Sequence, residues 1–211
     1  MNKLTFFLLC ALLALAIPVL SLAQSPESGE YTRLLSKLRS GDFSIDFAAL
    51  RKAFTRTPGY QPNNLVLAGQ SREMFAAIEG GRFEEATSVA EEILAKNYTH
   101  SEAHIGAAMA YQQLGNADLS RYHAAVSRGL FDSICGGTGG RTPDTPCVVI
   151  SVEEEHFFLA ASGYTLHERM EARCTTGPCD AMKVTSQSGD PITFYFDVSI
   201  PISHQEAQKT D

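Results

Sequence analysis

Two glycines, Gly81 and Gly115, interrupt a helix-like stretch of the chain at positions 34 residues apart. Glycine in a helix interior costs about 1 kcal/mol relative to alanine, so one continuous helix across both positions is disfavoured. Between the two breaks apolar residues recur at helical spacing, as in Ala86, Ala90 and Ile93. The pattern therefore predicts two helical hairpins rather than one long rod.

The ends of these helices carry local signals. We expect helices over residues 65–79, 83–96, 99–114 and 118–130. The third begins with Thr99-His-Ser-Glu102, the spacing of a capping box in which a hydroxyl and a carboxylate satisfy the first free N–H groups.

A shift of 34 residues places Ala86 on Ser120 and Ala90 on Ala124, which are all small residues and are expected at helix crossings. This register resembles the tetratricopeptide repeat, whose period is 34. The first unit departs from the family pattern at Glu73, and neither unit has the usual terminal proline; coincidental amphipathic helices are the alternative. The resemblance implies that the first helix of each pair lines a concave binding surface. Its candidate residues are Ser71, Phe75, Met109, Gln112 and Gln113.

Two further helices are predicted before the hairpins. Apolar residues spaced by three and four mark one helix from Tyr31 that Gly41 ends, and another from Phe43 that Thr57-Pro-Gly59 ends. Two repeats are fewer than the three or so that stand alone, so these helices are expected to cap them.

The composition changes after Leu130. A glycine-rich loop, Cys135–Cys147, precedes a short apolar strand that ends at Ser151, and Ser151-Val-Glu-Glu154 resembles a second capping box. Alternating apolar residues from Ile192 to Ile200 predict a strand. With segments 166–174 and 181–185 it forms a predicted antiparallel meander, which makes the fold class α+β.

The first 23 residues have the form of a secretory signal peptide. Lys3 precedes the apolar run Phe6–Ile17, and small residues at Ser21 and Ala23 suit cleavage after Ala23. An uncleaved membrane anchor is the alternative. The chain carries a formal net charge of −7, which loss of Lys3 makes more negative, so nucleic-acid binding is not expected. No second apolar run of spanning length follows.

Four cysteines follow the predicted signal, and export to an oxidising compartment would favour disulfides. Proximity along the chain favours the pairs Cys135–Cys147 and Cys174–Cys179, although four cysteines allow three pairings. Zinc binding is the rival interpretation, but the spacings lack the paired Cys-x-x-Cys of common zinc sites.

Candidate chemical motifs are weak. Gly136–Gly140 lacks the spacing and lysine of a phosphate-binding loop, and His100, Glu102 and His104 lack the HExxH pattern. The acidic run Glu153–Glu155 is interpreted as a solvated helix start. We therefore expect no metal and no cofactor.

A second resemblance spans nearly the whole chain after the signal. Its residues lie in Lys37–Phe43, Gly129–Ile134, Val148–Ser151 and Phe194–Asp197. These segments are similar to a family of exported bacterial proteins that carry a domain of unknown function. The resemblance implies an envelope location and no activity.

The sequence thus predicts a periplasmic or secreted binding or scaffold protein without catalysis, whose partner is an extended peptide or an envelope protein. The alternatives are an envelope hydrolase that uses His104, His123 or His156, and helices that only brace the sheet. The predicted organisation is a signal over residues 1–23, N-terminal helices over 24–64, hairpins over 65–131, the glycine-rich loop over 132–147, the meander with one helix over 148–203, and a tail over 204–211.

Overall fold

The computed structural model describes residues 26–209, and the predicted signal peptide lies outside them. Helices dominate the N-terminal two thirds, and a sheet with two helices follows, so the predicted α+β class is confirmed. The first six helices are α1 (Pro26–Arg39), α2 (Phe47–Phe54), α3 (Leu65–Glu79), α4 (Phe83–Lys96), α5 (Ser101–Gln113) and α6 (Ala117–Cys135).

Side-chain caps explain where several helices begin. The Asp46 carboxylate accepts from the N–H of Ala49 at 2.9 Å, so α2 starts at Phe47 and not at Phe43 as predicted. The N-cap of α5 is His100, whose ring Nδ1 accepts from Ala103 N–H. The predicted capping box that begins with Thr99 is therefore wrong, because an imidazole supplies the acceptor one residue later.

The turns after α3 and α5 repeat each other at the 34-residue offset. Gly81 and Gly115 have φ of 73° and 75°, a conformation that glycine adopts without steric cost. Arg82 N–H donates to the Ala77 carbonyl, and the equivalent Asn116 N–H donates to the Tyr111 carbonyl. The two hairpins thus end their first helices in the same way.

The equivalence of the two units is incomplete after this point. Ala86 and Ala90 are buried between helices, whereas Ser120 is half-buried and Ala124 is exposed. The prediction that Ala124 lies at a helix crossing is wrong, because among residues 26–209 no further hairpin packs on that side of α6. Instead α6 runs five residues beyond its predicted end and contacts α2.

The C-terminal part is a four-stranded mixed sheet with the strand order β1-β4-β3-β2. Strands β2, β3 and β4 form the predicted antiparallel meander, but β1 pairs with β4 in parallel. The elements are β1 (Cys147–Val148), α7 (Val152–Ala161), β2 (Thr165–Cys174), β3 (Gly177–Thr185), β4 (Pro191–Asp197) and α8 (Ser199–Lys209).

The last strand is shorter than its alternating pattern predicted. The Asp197 carboxylate accepts from the N–H of Ser199 at 2.9 Å, which turns the chain into α8. Ile200 therefore belongs to a helix, and the predicted tail from residue 204 continues that helix to Lys209.

Both disulfides form with the predicted pairing. Cys135 at the end of α6 is bonded to Cys147 at the start of β1, and Cys174 in β2 is bonded to Cys179 in β3. Within residues 26–209, no helix is long and apolar enough to cross a membrane.

One apolar core lies among the helices and includes Leu38, Met74 and Ile93. A second lies under the sheet, around Phe196 and Met182. A small cluster of Phe54, Tyr60 and Ile150 packs where the two parts meet, and the Tyr60 hydroxyl donates to the Ile150 carbonyl at 2.5 Å.

Candidate functional site

The candidate site is a groove between α3 and α5 that α7 closes at one end. A glycine permits the two helices to approach, because a Cβ on Gly106 of α5 would lie 2.3 Å from the Met74 methyl group of α3. Helix α7 also contacts α5 and places Val152 and Glu153 beside the first turn of α5. The geometry creates a recess at the junction of three helices.

The recess holds a cavity of about 280 Å³. Two of the five predicted binding residues, Ser71 and Phe75, line it. Ser71 is only 3% exposed, so it lies in the wall of the recess. The other lining residues are Ala68, Arg72, Glu102, Val152, Glu153 and His156.

The remaining three predicted residues lie farther along α5. Met109 is 42% exposed and follows Glu102 by seven residues, which puts both on one helix face. Gln112 and Gln113 are exposed at the end of α5 and do not line the 280 Å³ cavity. The five predicted residues therefore occupy two neighbouring zones, one enclosed and one open.

A narrower space of about 40 Å³ adjoins the recess, between the turn before α3 and the first turns of α5 and α7. Glu102 and Glu153 line both spaces and so stand at their boundary. Burial raises the pKa of Glu102, and the nearby carboxylate of Glu153 raises it further. The Ser71 hydroxyl is close enough to oppose this rise, but makes no hydrogen bond of normal geometry.

The three histidines of the hydrolase alternative are not gathered in this recess. His156 lines it, whereas His104 and His123 form a buried pair joined by a 2.9 Å contact between their Nδ1 atoms. His104 Nε2 lies 3.0 Å from the Tyr98 carbonyl, which can only accept, so Nε2 carries the proton and His123 donates to His104 Nδ1.

This arrangement makes His104 a structural residue. Neither of its ring nitrogens is left for a substrate, and burial lowers its pKa to about 3. Among residues 26–209, no group of three or more His, Cys, Asp or Glu side chains is placed to hold a metal ion.

The acidic run at the start of α7 is the site feature that sequence reasoning misread. Glu153 lines the wider cavity of the recess; Glu154, which borders the narrower space, and Glu155 are buried, which contradicts the predicted solvated face. A signal was present, because Glu155 shares a helix face with Phe158 and Leu159, at spacings of three and four.

Glu154 forms a buried ion pair with Arg51 of α2, with Nε donating to Oε1 at 2.7 Å. The same carboxylate accepts from the N–H of Ile150 at 2.8 Å. Arg51 also donates to the carbonyl of Val148 at 2.7 Å and to that of Ser133. This network connects the N-terminal helices to α7 and β1.

Glu155 has a different partner. Neither carboxylate oxygen accepts a hydrogen bond, and Asp180 of β3 lies beside it, itself paired with Arg169. Burial and the Asp180 charge raise the pKa of Glu155 to about 9, so it is protonated at neutral pH and can donate to Asp180.

Comparison with known families agrees with the second resemblance in one respect, the domain of unknown function. Residues 24–207 match a family defined by a domain of unknown function, DUF4919, and the chain belongs to this family. Comparisons with curated proteins and with solved structures found no match.

Proposed function

We propose that this chain is a non-catalytic binding protein of the bacterial envelope that holds an extended peptide segment in the groove between α3 and α5. The observation that carries the proposal is the recess closed by α7, which Phe75 lines, together with the 42% exposed Met109 on the same face of α5 as Glu102. Apolar anchors with amides beside them suit an extended chain, since pockets take side chains and amides hold the backbone.

The tetratricopeptide likeness supports the use of this face. The turn geometry repeats at 34 residues, each of α3 to α6 packs on the next, and α3 also contacts α5. In such an arrangement the first helices of the pairs share one surface. Both disulfides are consistent with export to an oxidising compartment.

Two hairpins provide a short groove, so the expected affinity is modest. We expect a dissociation constant in the micromolar range or weaker, which corresponds to about −8 kcal/mol. The most direct test is Met109→Glu, followed by in-cell cross-linking and mass spectrometry. Because Met109 is 42% exposed, a charged side chain there remains solvated and the thermal unfolding curve should be unchanged.

The matched control is Leu119→Glu, which changes an apolar side chain of similar exposure, 39%, at the start of α6. Met109→Glu should deplete the cross-linked partners, whereas Leu119→Glu should retain them. Equal partner lists for both variants and the wild type, or loss of folding in Met109→Glu, would refute the groove.

A further inference from the structure

The closed end of the groove carries two carboxylates without a cationic partner. Glu102 stands in the first turn of α5, and Glu153 stands in the first turn of α7. Among the described residues, neither carboxylate has a basic group within 4.0 Å. Helix dipoles favour an acid at each position, but they do not explain why the two acids face one recess.

Two buried hydroxyls flank this pair. Ser71 and Ser101 are 3% and 5% exposed; the Ser71 hydroxyl lies near the Glu102 carboxylate without a hydrogen bond of normal geometry, and the Ser101 hydroxyl has no hydrogen-bond partner. Ser71 lines the wider cavity, and Ser101 lines the narrower one. Buried polar atoms are almost always paired in folded proteins, so the unpaired Ser101 hydroxyl beside two carboxylates that have no cation indicates a polar ligand.

The basic residues at the rim of the recess do not pair with the carboxylates of Glu102 and Glu153. Arg72 lines the wider cavity, but its guanidinium lies over Gly69 on its own helix and forms no ion pair with either glutamate. His156 is the other basic side chain of the cavity and is exposed. The ligand must therefore bring its own positive charge.

The shape of the recess restricts the kind of cation. Ala68, Phe75 and Val152 give the wider cavity an apolar wall, which suits a hydrocarbon stem. The space beyond the carboxylates, about 40 Å³, has room for a polar head group. An ammonium has three rotatable donors that can turn toward carboxylates on two different helices, whereas a guanidinium presents its donors in a rigid planar fork.

We propose that Glu102 and Glu153 bind the ammonium group of a lysine side chain, which the Ser71 and Ser101 hydroxyls help to hold and which a peptide in the groove supplies. This inference rests on the proposed peptide-binding function and specifies its chemistry. The lysine stem would lie against Phe75 and Val152 while the peptide backbone continues along α5 toward Met109. The overall negative charge of the chain favours approach of such a ligand.

The test uses a pool of fluorescent hexapeptides, capped at both ends, with one lysine among apolar residues. Matched pools carry Nε-acetyllysine or arginine at that position, and a fourth pool has no lysine but a free amino terminus. Binding is measured by fluorescence anisotropy. The lysine pool should bind at least about tenfold more tightly than the acetyllysine pool, because acetylation removes the charge that pairs with the glutamates.

The protein variant is Glu102→Gln with Glu153→Gln, and its matched control is Glu84→Gln with Glu85→Gln, which removes two acids from the first turn of α4, outside the groove. The first double variant should lose the preference for lysine over acetyllysine while it stays folded by circular dichroism. The control should keep that preference.

The outcomes separate the two proposals. Equal binding of the lysine and acetyllysine pools, or a preference for arginine or the free amino terminus, overturns the lysine site. If Met109→Glu still abolishes that unselective binding, the proposed peptide groove is retained and only the lysine site is lost. A lysine preference that survives Met109→Glu supports the pocket and overturns the groove. Failure of every pool to bind at millimolar concentration overturns both.

Discussion

Replacing Glu155 with glutamine should stabilise the protein at neutral pH, although the residue is completely buried. Glu155 accepts no hydrogen bond and adjoins the Asp180 carboxylate, while Arg169, 4.0 Å away, is paired with Asp180; burial and the Asp180 charge outweigh it, so the folded protein keeps Glu155 protonated. In the unfolded chain its pKa returns to 4.5, and the group ionises. Folding near pH 7 must therefore take up one proton at this site.

The magnitude follows from the unfolded pKa and the pH of the assay. Protonating a carboxyl of pKa 4.5 near pH 7 costs roughly 3 kcal/mol, at about 1.4 kcal/mol for each pH unit. Glutamine is neutral, has nearly the same shape, and its amide can still donate to Asp180. We expect Glu155→Gln to gain up to about 3 kcal/mol of unfolding free energy, less whatever its amide geometry loses.

The direction of the effect can be checked by measuring the free energy of unfolding as a function of pH. Because the folded pKa of about 9 lies above the unfolded value, the stability from this site is full below pH 4.5 and is lost as pH rises toward 9. Urea unfolding of the wild type should thus lose about 1.4 kcal/mol per pH unit relative to Glu155→Gln across that window.

A suitable control is Glu73→Gln, which neutralises an exposed acid on α3. It should follow the wild-type pH dependence. Parallel curves for the wild type and Glu155→Gln, or destabilisation by the glutamine at every pH, would show that Glu155 is ionised in the folded protein and that the reasoning is wrong.

Two further predictions concern acid and the disulfides. Burial lowers the pKa of His100 to about 4 and that of His104 to about 3, below the ordinary 6.5, so the stability they contribute above pH 6.5 is lost as pH falls toward those values. Urea unfolding of His104→Gln should show a smaller loss per pH unit than the wild type; an unchanged slope would contradict the buried pair. Replacing the Cys135–Cys147 disulfide with two serines should lower the free energy of unfolding by about 3 kcal/mol, and replacing Cys174–Cys179 by about 2 kcal/mol. The longer loop restricts the unfolded chain more, so its loss costs more. Calorimetry that shows the reverse order would contradict this.

Local signals in the sequence located much of the fold. The bounds of α3 and α4 were predicted to the residue, because apolar periodicity, Asn64 and the glycine break agree there. The disulfide pairs followed from short separations. The end of the last strand was predicted too late, because the alternation of apolar residues continues past Asp197. Only the three-dimensional structure shows that the Asp197 carboxylate accepts from the Ser199 N–H and starts α8.

The recess was only half predictable. Ser71 and Phe75 were found through the repeat register, but Glu153 was not, because it arrives from a helix about 80 residues later in the chain. The spacing of apolar residues in α3 and α5 does not show which later helix packs against their open face. The partner of a buried charge is equally invisible in sequence, as Arg51 and Glu154 show at a separation of 103 residues.

Three consecutive acids at the start of α7 have three different surroundings, because successive residues on a helix point about 100° apart. Glu153 faces the recess, Glu154 pairs with Arg51, and Glu155 adjoins Asp180. The ion pair of Glu154 therefore fixes the rotation of α7, and with it the position of Glu153. This makes Arg51 a positioning residue for the recess, although it does not line it.

Arg51→Met should destabilise the protein by about 3–5 kcal/mol, because it leaves the Glu154 charge buried without a partner. Adding Glu154→Gln removes that charge and keeps an acceptor for the Ile150 N–H, so most of the loss should be recovered. The double variant tests the positioning role: it should fold, yet bind the lysine peptides more weakly than the wild type, because α7 has lost its anchor on α2. Chemical unfolding and anisotropy provide the two readouts. If the single and double variants were destabilised equally, the unpaired Glu154 charge would not be the cause of the loss. If the folded double variant bound the peptides as tightly as the wild type, α7 would hold Glu153 in place without Arg51.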